Sequence, residues 1–371
     1  MKPAARLAQL RPSPIRALSE GAPPGAVPMG LGEPSWALPE PGRAALARQE
    51  GACAYGPNAG LPELREAVAA FHGAGEDRVM LGSGSEGVLY ALFQAWLEPG
   101  DAVLVPDPGF LAYPALARLA GADPVGYGLA PDFTLDPAAF RAALDRTPAA
   151  KVAVVNHPGN PTGAGTMAQA LAEVAQACAA RGILLLSDEV YRELCLGERC
   201  PSLRDVSDTG LVLGSVSKAW GAPGLRVGWA IGDPAWLAPA RLVHAYMVTA
   251  PARPAQLAAL ALLQASPSVL SEAREHLRLR WEAFSEAFAS AFGPSPRRAA
   301  GGFYHWQPLP PWALADPMAF CVRLRDEGQV VVVPGTAFGE GGRGHIRLSY
   351  AGDPDQIREG VRRLAPFWNP A

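Results

Sequence analysis

The 371-residue sequence is poor in several features that mark whole classes of protein. Its formal net charge is only −3 and no basic stripe stands out, so a nucleic-acid partner is not expected. No apolar run approaches the roughly 18 residues of a membrane-spanning helix, and the N-terminus lacks a charged-then-apolar signal pattern. The five cysteines include no CxxC and no Cys/His pair at metal-ligand spacing, which predicts reduced thiols and no metal site. Together these absences predict a cytoplasmic protein with no membrane partner.

Lysine is also scarce, because only Lys2, Lys151 and Lys218 occur among 32 basic residues. Arginine stays protonated in proteins, whereas lysine can lose its proton and form a Schiff base. A lysine that persists against this bias is therefore a candidate for chemistry that arginine cannot perform. The bias alone does not choose among the three.

Hydrophobic residues make up 49% of the chain, enough for a large buried core, and fall in short runs between amphipathic stretches. Strands are predicted at 78–81, 102–105, 151–155, 183–187, 211–215 and 227–231. Helices are predicted at 61–72, 85–97, 111–120, 167–181 and 253–265. Nearly all-apolar strands that alternate with helices indicate an α/β fold with a mostly parallel sheet.

The pattern changes along the chain, which predicts three segments. Residues 1–42 are rich in proline and glycine and are expected to form an irregular arm that contributes to a small domain. Residues 43–265 should form the large domain. Residues 266–371 should form a smaller α+β domain, with a helix over 268–292, strands at 329–333 and 344–349 and a final helix from 354.

The segment around Lys218 is the richest in reactive side chains. Ser215 and Ser217 precede the lysine at the end of an apolar strand, and Arg226 follows in a loop rich in glycine and proline. Lys218 should therefore emerge at the C-terminal edge of a strand, where open α/β sheets bind ligands. A lysine that can form an imine, two hydroxyls and an arginine suit a phosphorylated aldehyde, whose phosphate the serines and the arginine would bind.

A second polar segment ends the preceding predicted strand. Asp188 is placed to keep a pyridine nitrogen protonated, which makes the ring an electron sink. Tyr191, three residues later, is a candidate to hydrogen-bond a phenolic oxygen. On its own, the Ser-Asp-Glu sequence would be an ordinary helix cap.

A rigid turn follows another apolar strand. Asn-His-Pro at Asn156 and Asn-Pro at Asn160 restrict the backbone, so the Asn160 amide can be aimed at a cofactor at low ordering cost. His157 lies in the same turn, where a structural role is more common than an acid–base role.

The segment 82–87, GSGSEG, supports two interpretations. It has the spacing GxGxxG between a short strand and a helix, and Asp107 lies 20 residues beyond its last glycine. That combination resembles a dinucleotide-binding fingerprint and makes an NAD-dependent oxidoreductase one alternative. However, the exposed N–H groups at a helix start bind any phosphate dianion. In the second interpretation Gly84, Ser85 and Glu86 bind the phosphate of the aldehyde.

Two further residues are candidates for the same site. In GHIRLSYAG, strand alternation places Arg347 on the face opposite Ile346 and Leu348, which makes it a candidate bidentate clamp for a substrate carboxylate. Phe110, in PDPGFLAYP, is a candidate to lie against the cofactor ring.

Taken together, these segments resemble the class I and II aminotransferases, which are pyridoxal phosphate (PLP) enzymes of fold type I. The resemblance extends over almost the whole chain and is carried by SVSKAWGAPGLRVG around Lys218, Asn160-Pro-Thr-Gly163, Ser187-Asp-Glu-Val-Tyr191, Tyr55-Gly-Pro-Asn-Ala-Gly60, Gly32-Glu-Pro34 and PGTAFG before Arg347.

The resemblance implies PLP as the cofactor, bound by the large domain, and a homodimer with the active site at the subunit interface. It implies that Tyr55 reaches the phosphate of the partner's cofactor and that Phe110 stacks on the ring. The Gly32 loop, Asn160 and Arg347 would bind the substrate. Lys218, Asp188 and Tyr191 would be catalytic in a ping-pong exchange between an amino acid and a 2-oxo acid. A carbon–sulfur β-lyase of the same fold would share all of these residues.

Overall fold

The computed structural model describes residues 2–48 and 53–368. Its helices are α1 (Pro14–Glu20), α2 (Glu40–Ala47), α3 (Pro62–Phe71), α4 (Gly84–Trp96), α5 (Ala112–Leu119), α6 (Pro137–Asp145), α7 (Ala168–Ala179), α8 (Leu203–Val206), α9 (Pro234–Val248), α10 (Arg253–Gln264), α11 (Ser266–Phe292), α12 (Pro317–Asp326) and α13 (Pro354–Leu364). Its strands are β1 (Val27–Pro28), β2 (Val79–Ser83), β3 (Ala102–Asp107), β4 (Asp123–Gly128), β5 (Ala150–Asn156), β6 (Leu184–Asp188), β7 (Leu211–Ser215), β8 (Val227–Gly232), β9 (Tyr304–Pro308), β10 (Val330–Val331), β11 (Val333–Pro334) and β12 (His345–Ser349).

Seven strands form the large sheet in the order β2-β8-β7-β6-β5-β3-β4. All neighbouring pairs are parallel except the two that involve β8, which runs antiparallel to β2 and to β7. The predicted α/β fold with a mostly parallel sheet is therefore confirmed. The central strands place the C-terminal ends of β5, β6 and β7 side by side.

The central strands are apolar along most of their length because helices cover both faces of the sheet. On β5, Val152 and Val154 pack in one apolar cluster with residues of α4 and α9. Ala153 and Val155, on the other face, pack with residues of α6 and α7. Successive side chains of a strand point to opposite faces, so a doubly covered strand needs an apolar residue at every position.

The sequence pattern did not predict β4 or α9. Strand β4 lies at the edge of the sheet and pairs with β3 alone, and its sequence, DPVGYG, contains residues that are depleted in strands. Helix α9 contains Pro239, which lowers the helical expectation for the segment although the helix continues through it. Tertiary pairing and packing override the weak local preference at both places.

The C-terminal third contains a three-stranded antiparallel sheet in the order β11-β12-β9, and β1 near the N-terminus pairs with β10. Helix α11 is 27 residues long and packs against α13. The junction of α10 and α11 lies at Ala265, the residue at which we place the domain boundary. The division into 1–42, 43–265 and 266–371 stays a prediction. Among the residues described, no helix has both the length and the apolar character needed to cross a membrane.

Candidate active site

A cavity of about 440 Å³ lies at the C-terminal ends of the central strands. The residues predicted to form the site line it almost without exception: Gly32, Ser85, Glu86, Phe110, Asn160, Asp188, Tyr191, Ser215, Ser217, Lys218, Arg226 and Arg347. Segments distant in sequence thus meet in one place. Gly84 lies directly beside this lining, and Tyr55 lies elsewhere.

Lys218 follows β7 and points its amine into the cavity. Its Nζ donates a hydrogen bond to the carbonyl oxygen of Gly32 at 2.8 Å and lies 5.7 Å from the centre of the Tyr191 ring. Burial, followed by the positive charge of Arg347, lowers the pKa of Lys218 to about 8. A lysine with this pKa holds a substantial fraction of neutral, nucleophilic amine near neutral pH.

Asp188 is the last residue of β6 and is buried. The hydroxyl of Tyr113 donates to its Oδ2 at 2.7 Å, and the backbone N–H of Val190 donates to its Oδ1 at 3.3 Å. Burial raises the pKa of Asp188, while the bond from Tyr113 and the charge of Lys218 act in the opposite direction. The sequence analysis missed Tyr113, although its place on α5, three residues after Phe110, was a usable signal.

The N-terminus of α4 and the guanidinium of Arg226 form an anion-binding site, which we call the cradle. The first N–H groups of this helix belong to Gly84, Ser85 and Glu86, and no side-chain cap occupies them. A Cβ on Gly84, whose φ is 76°, would collide with the guanidinium of Arg226, so this glycine lets the arginine lie against the helix start. Backbone donors and a guanidinium that converge in this way suit a phosphate dianion.

Ser215 and Ser217 complete this end of the cavity. Their hydroxyls lie 2.7 Å apart, and the Ser215 hydroxyl also donates to the carbonyl oxygen of Val227 at 2.8 Å. Ser215 is therefore held by β8, and because its one proton goes to Val227, Ser217 is the donor in the bond between the two hydroxyls.

Arg347 and Asn160 form a second group of polar side chains in the site. Nη1 of Arg347 donates to Oδ1 of Asn160 at 2.7 Å, and Nη2 donates to the carbonyl oxygen of Gly30 at 2.6 Å. The guanidinium carbon lies 4.5 Å from the centre of the Tyr304 ring and 4.7 Å from that of Phe338. Arg347 is 1% exposed, and its Nε has no hydrogen-bond partner among the described residues. An arginine this buried, with no carboxylate partner, is suited to a carboxylate ligand.

Tyr191 has a partner that the sequence analysis did not identify. Its hydroxyl lies 2.7 Å from the hydroxyl of Tyr304, the first residue of β9. No strand was predicted there, so nothing in the local pattern marked Tyr304. The predicted hydrogen bond from Tyr191 to a cofactor oxygen stays a prediction.

The N-terminal arm is not wholly irregular, because it contains the helix α1. Ser13, Ile15 and Arg16 line the cavity from this helix and its N-cap. Ile15 is buried in a cluster with Trp306 and Phe338. Because Phe338 also contacts Arg347, this packing holds the helix against the Arg347 part of the site. Pro14 at the first helical position favours the helix start.

His157 and Tyr55, both considered in the sequence analysis, lie outside the cavity, as do Trp36 and Arg253. His157 is 2% exposed, and burial lowers its pKa to about 4, so it is a neutral structural side chain. Trp36 stacks on His276 within the core. Arg253 is an exposed residue that begins α10. Tyr55 is 88% exposed and does not line the cavity of its own chain.

The dinucleotide-binding interpretation of residues 82–87 does not fit the topology. Strand β2 lies at the edge of the large sheet and pairs only with the antiparallel β8, whereas the fingerprint requires a central βαβ unit. Asp107, the supposed ribose ligand, ends β3 near the opposite edge, and its Oδ1 accepts a hydrogen bond from the N–H of Gly341 at 2.8 Å. The alternative of an NAD-dependent oxidoreductase is therefore wrong.

Comparison with known proteins agrees with this geometry. Residues 24–364 match the family described as aminotransferase class I and II. The chain is 34% identical over 353 residues to the aspartate/prephenate aminotransferase of Thermus thermophilus, covering 91% of this chain and 90% of that protein. It is 31% identical over 348 residues to the arginine–pyruvate transaminase AruH of Pseudomonas aeruginosa, covering 91% and 88%.

Solved structures give the same result. The structure of Thermus thermophilus aspartate aminotransferase with maleate superposes with a TM-score of 0.89 at 31% identity, covering 99% of this chain and 100% of that one. The sequence, the cavity and the overall fold therefore lead to one assignment: the chain belongs to the class I and II aminotransferases and is a transferase of amino groups.

Proposed function

We propose that the cavity binds PLP and catalyses the exchange of an amino group between an amino acid and a 2-oxo acid. The observation that carries this proposal is the convergence of a buried amine of lowered pKa, a buried carboxylate and an anion cradle in one cavity. The donor set fits the cofactor group by group. The cradle of α4, Arg226 and Ser217 suits its phosphate, Asp188 suits its pyridine nitrogen and Lys218 suits its aldehyde. Phe110, which also lines the cavity, offers an aromatic surface for its ring.

Bound PLP supplies an electron sink that stabilises negative charge on the substrate Cα. Asp188 maintains that capacity, because a buried carboxylate favours a protonated pyridine nitrogen. Lys218 would anchor the cofactor, and its Nζ would act as the general base toward the substrate Cα proton. Asn160 and Tyr191 would hold the ring by hydrogen bonds.

Arg347 binds the substrate α-carboxylate in this proposal. Its contacts with Asn160 and Gly30 hold the guanidinium in place while leaving donor capacity, including Nε, for the ligand. A substrate held by its carboxylate places its Cα near Lys218. The two half-reactions use the site in turn, so the first product leaves before the second substrate enters.

The test of the proposal is Lys218→Ala. This variant should lose borohydride trapping of the cofactor and should lose turnover by on the order of 10³-fold or more, since the anchor and the base are removed together. Lys151→Ala is the matched control, because Lys151 is a half-exposed residue that pairs with Asp101 at 3.1 Å on the surface. Turnover by Lys218→Ala at the wild-type rate would contradict the proposal.

We further propose that the active enzyme is a homodimer in which Tyr55 binds the phosphate of the partner's cofactor. The side chain of Tyr55 is free for such a contact, since it is 88% exposed. Tyr246, Met247 and Val248, at the end of α9, are exposed as well, and Met247 lies close to Gly87 in the first turn of α4. This apolar patch next to the cradle suits a second copy of the chain.

Subunit complementation tests the dimer. Lys218→Ala and Tyr55→Phe subunits, each weakly active alone, should regain activity when mixed and exchanged. The hybrid then contains one site with an intact Lys218 and an intact Tyr55 from the other subunit. A Tyr55 that acts within its own chain would give no recovery, and sedimentation would report the oligomeric state independently.

A further inference from the structure

Tyr304 contacts several residues of the proposed active site, although no sequence pattern marked it. It begins β9, is 2% exposed and lines the cavity. Its hydroxyl lies 2.7 Å from the hydroxyl of Tyr191, and its ring lies 4.5 Å below the guanidinium carbon of Arg347. One side chain therefore contacts both the proposed donor to the cofactor and the proposed carboxylate clamp.

The same hydroxyl also contacts the Gly32 segment. A Cβ added to Gly32 would collide with the hydroxyl of Tyr304, so the close approach requires glycine at that position. The carbonyl oxygen of Gly32 in turn accepts the hydrogen bond from Nζ of Lys218 at 2.8 Å. Tyr304 thus lies at the junction of three segments that the chain brings together from residues 32, 191 and 347.

We propose that Tyr304 is a positioning residue of the aminotransferase site: its hydroxyl orients the hydroxyl of Tyr191 toward the cofactor, and its ring holds the guanidinium of Arg347 for the substrate carboxylate. The inference rests on the proposed function, because it assigns Tyr304 a role toward the same cofactor and substrate. The hydroxyl contact with Tyr191 and the ring contact with Arg347 are distinct, so each can be tested by its own substitution.

The proposal requires one direction for the hydroxyl contact, in which Tyr304 donates and Tyr191 accepts. Burial raises the pKa of both tyrosines, so both hydroxyls keep their protons at neutral pH. Between two neutral hydroxyls only one proton lies in the shared bond. When Tyr304 donates to Tyr191, the proton of Tyr191 is left for a third oxygen in the cavity, and the accepted bond makes Tyr191 a stronger donor.

The ring contact is one of two cation–π contacts of the guanidinium. The centre of the Tyr304 ring lies 4.5 Å from the guanidinium carbon and that of Phe338 lies 4.7 Å from it. Aromatic faces attract a buried cation and restrict the plane of the guanidinium, which is the geometry that a bidentate carboxylate contact needs. Removing the hydroxyl alone leaves this ring contact intact.

The hydroxyl is tested with Tyr304→Phe in the PLP-loaded enzyme. The readout is the pH titration of the visible absorption of the lysine-bound cofactor. Weakening the donor at the phenolic oxygen leaves more negative charge near the nitrogen of Lys218. The midpoint should therefore rise by about 0.5 pH unit, with KM for the amino acid within about twofold of wild type.

A double-mutant cycle shows whether the hydroxyl acts through Tyr191. In a Tyr191→Phe background, Tyr304→Phe should add no further shift of the midpoint. Tyr127→Phe is the control, because Tyr127 is a buried tyrosine whose hydroxyl donates to the carbonyl oxygen of Val154 at 2.8 Å, outside the cavity lining. That variant should titrate like the wild type.

The ring is tested with Tyr304→Leu, which should raise KM for the amino acid by about tenfold through the looser guanidinium. A midpoint unchanged in Tyr304→Phe, or a shift that persists in full without the Tyr191 hydroxyl, would overturn the inference. The proposed function fails in a different way, since wild-type protein that gives no visible absorption with PLP would refute it whatever Tyr304 does.

Discussion

The cavity has two parts that are assembled in different ways. The sheet side consists of Asn160, Asp188, Ser215, Ser217 and Lys218, which follow the ends of β5, β6 and β7. The clamp side consists of Gly30, Gly32, Tyr304 and Arg347. The turns on the sheet side are closed by local contacts, as between the N–H of Asn160 and Oδ1 of Asn156, four residues apart in sequence, although Asp188 and Lys218 also bond Tyr113 and Gly32 over 75 and 186 residues. On the clamp side, Arg347 and the carbonyl of Gly30 are 317 residues apart.

This difference in sequence separation has a consequence for function. Local turns at strand ends place the sheet-side residues wherever the large sheet forms. The clamp side exists only when the N-terminal segment, β9 and β12 are packed together, and the bond of Arg347 to Asn160, 187 residues away, joins the two sides. We therefore expect sheet-side substitutions to affect chemistry and substitution of Arg347, on the clamp side, to affect substrate binding.

The largest effect is expected on the sheet side, at Asp188. Asp188→Asn should lower kcat by on the order of 10³-fold, because an amide carries no negative charge to favour the protonated pyridine nitrogen. The measurement is steady-state transamination at saturating substrates. Glu189→Gln is a matched control, since this neighbouring carboxylate is also buried but lies outside the cavity lining. A decrease of less than tenfold in Asp188→Asn would remove Asp188 from the catalytic set.

The next effect is expected on the clamp side. Arg347→Lys should raise KM for the amino acid by about 100-fold with a smaller change in kcat, because lysine cannot make the paired N–H contacts of a guanidinium. Arg343→Lys, an exposed residue just before β12, should behave like the wild type. If kcat falls and KM does not change, the separation of the two sides is wrong.

The pKa of Lys218 tests how the two sides are coupled. The rate at which apo protein captures PLP should rise about tenfold between pH 7 and pH 9, because the neutral amine is the reactive form and the pKa is about 8. Arg347 lowers this pKa, so Arg347→Met should move the rise to higher pH. Stopped-flow absorbance measures the capture. An unchanged midpoint in the variant would mean that the clamp side does not act on the lysine.

The smallest effect is expected at Tyr113, which supports the sheet side from α5. Its hydrogen bond lowers the pKa of Asp188, so Tyr113→Phe should raise that pKa. The acid limb of the kcat profile should then move to higher pH, and kcat at neutral pH should fall by about fivefold. The Tyr127→Phe variant again serves as control. An acid limb in the wild-type position would show that Asp188 needs no support from Tyr113.

Sequence-based prediction succeeded where a local pattern marks the residue. Lys218, Asp188 and Asn160 were predicted because each follows a strongly apolar strand, and parallel strands bring such ends to one edge. Tyr304 was missed because its hydroxyl acts across 113 residues of sequence and no local pattern marks it. Tyr113 acts across 75 residues, and its place three residues after Phe110 was the local signal that went unused. Helix α1 was missed because a short segment with four prolines in and around it, Pro12, Pro14, Pro23 and Pro24, has the composition of an irregular arm.

The sequence by itself determined the apolar strands, the helix that starts at Gly84 and the polar residues at the strand ends, because hydrophobic periodicity and turn chemistry are local properties. The tertiary structure decided which segments meet. It placed β2 at a sheet edge, where GSGSEG does not form the central βαβ unit of a dinucleotide site. It buried Arg347 in contact with two aromatic rings and lowered the pKa of Lys218. Burial and long-range contact, which act only in the folded chain, turn these residues into one site.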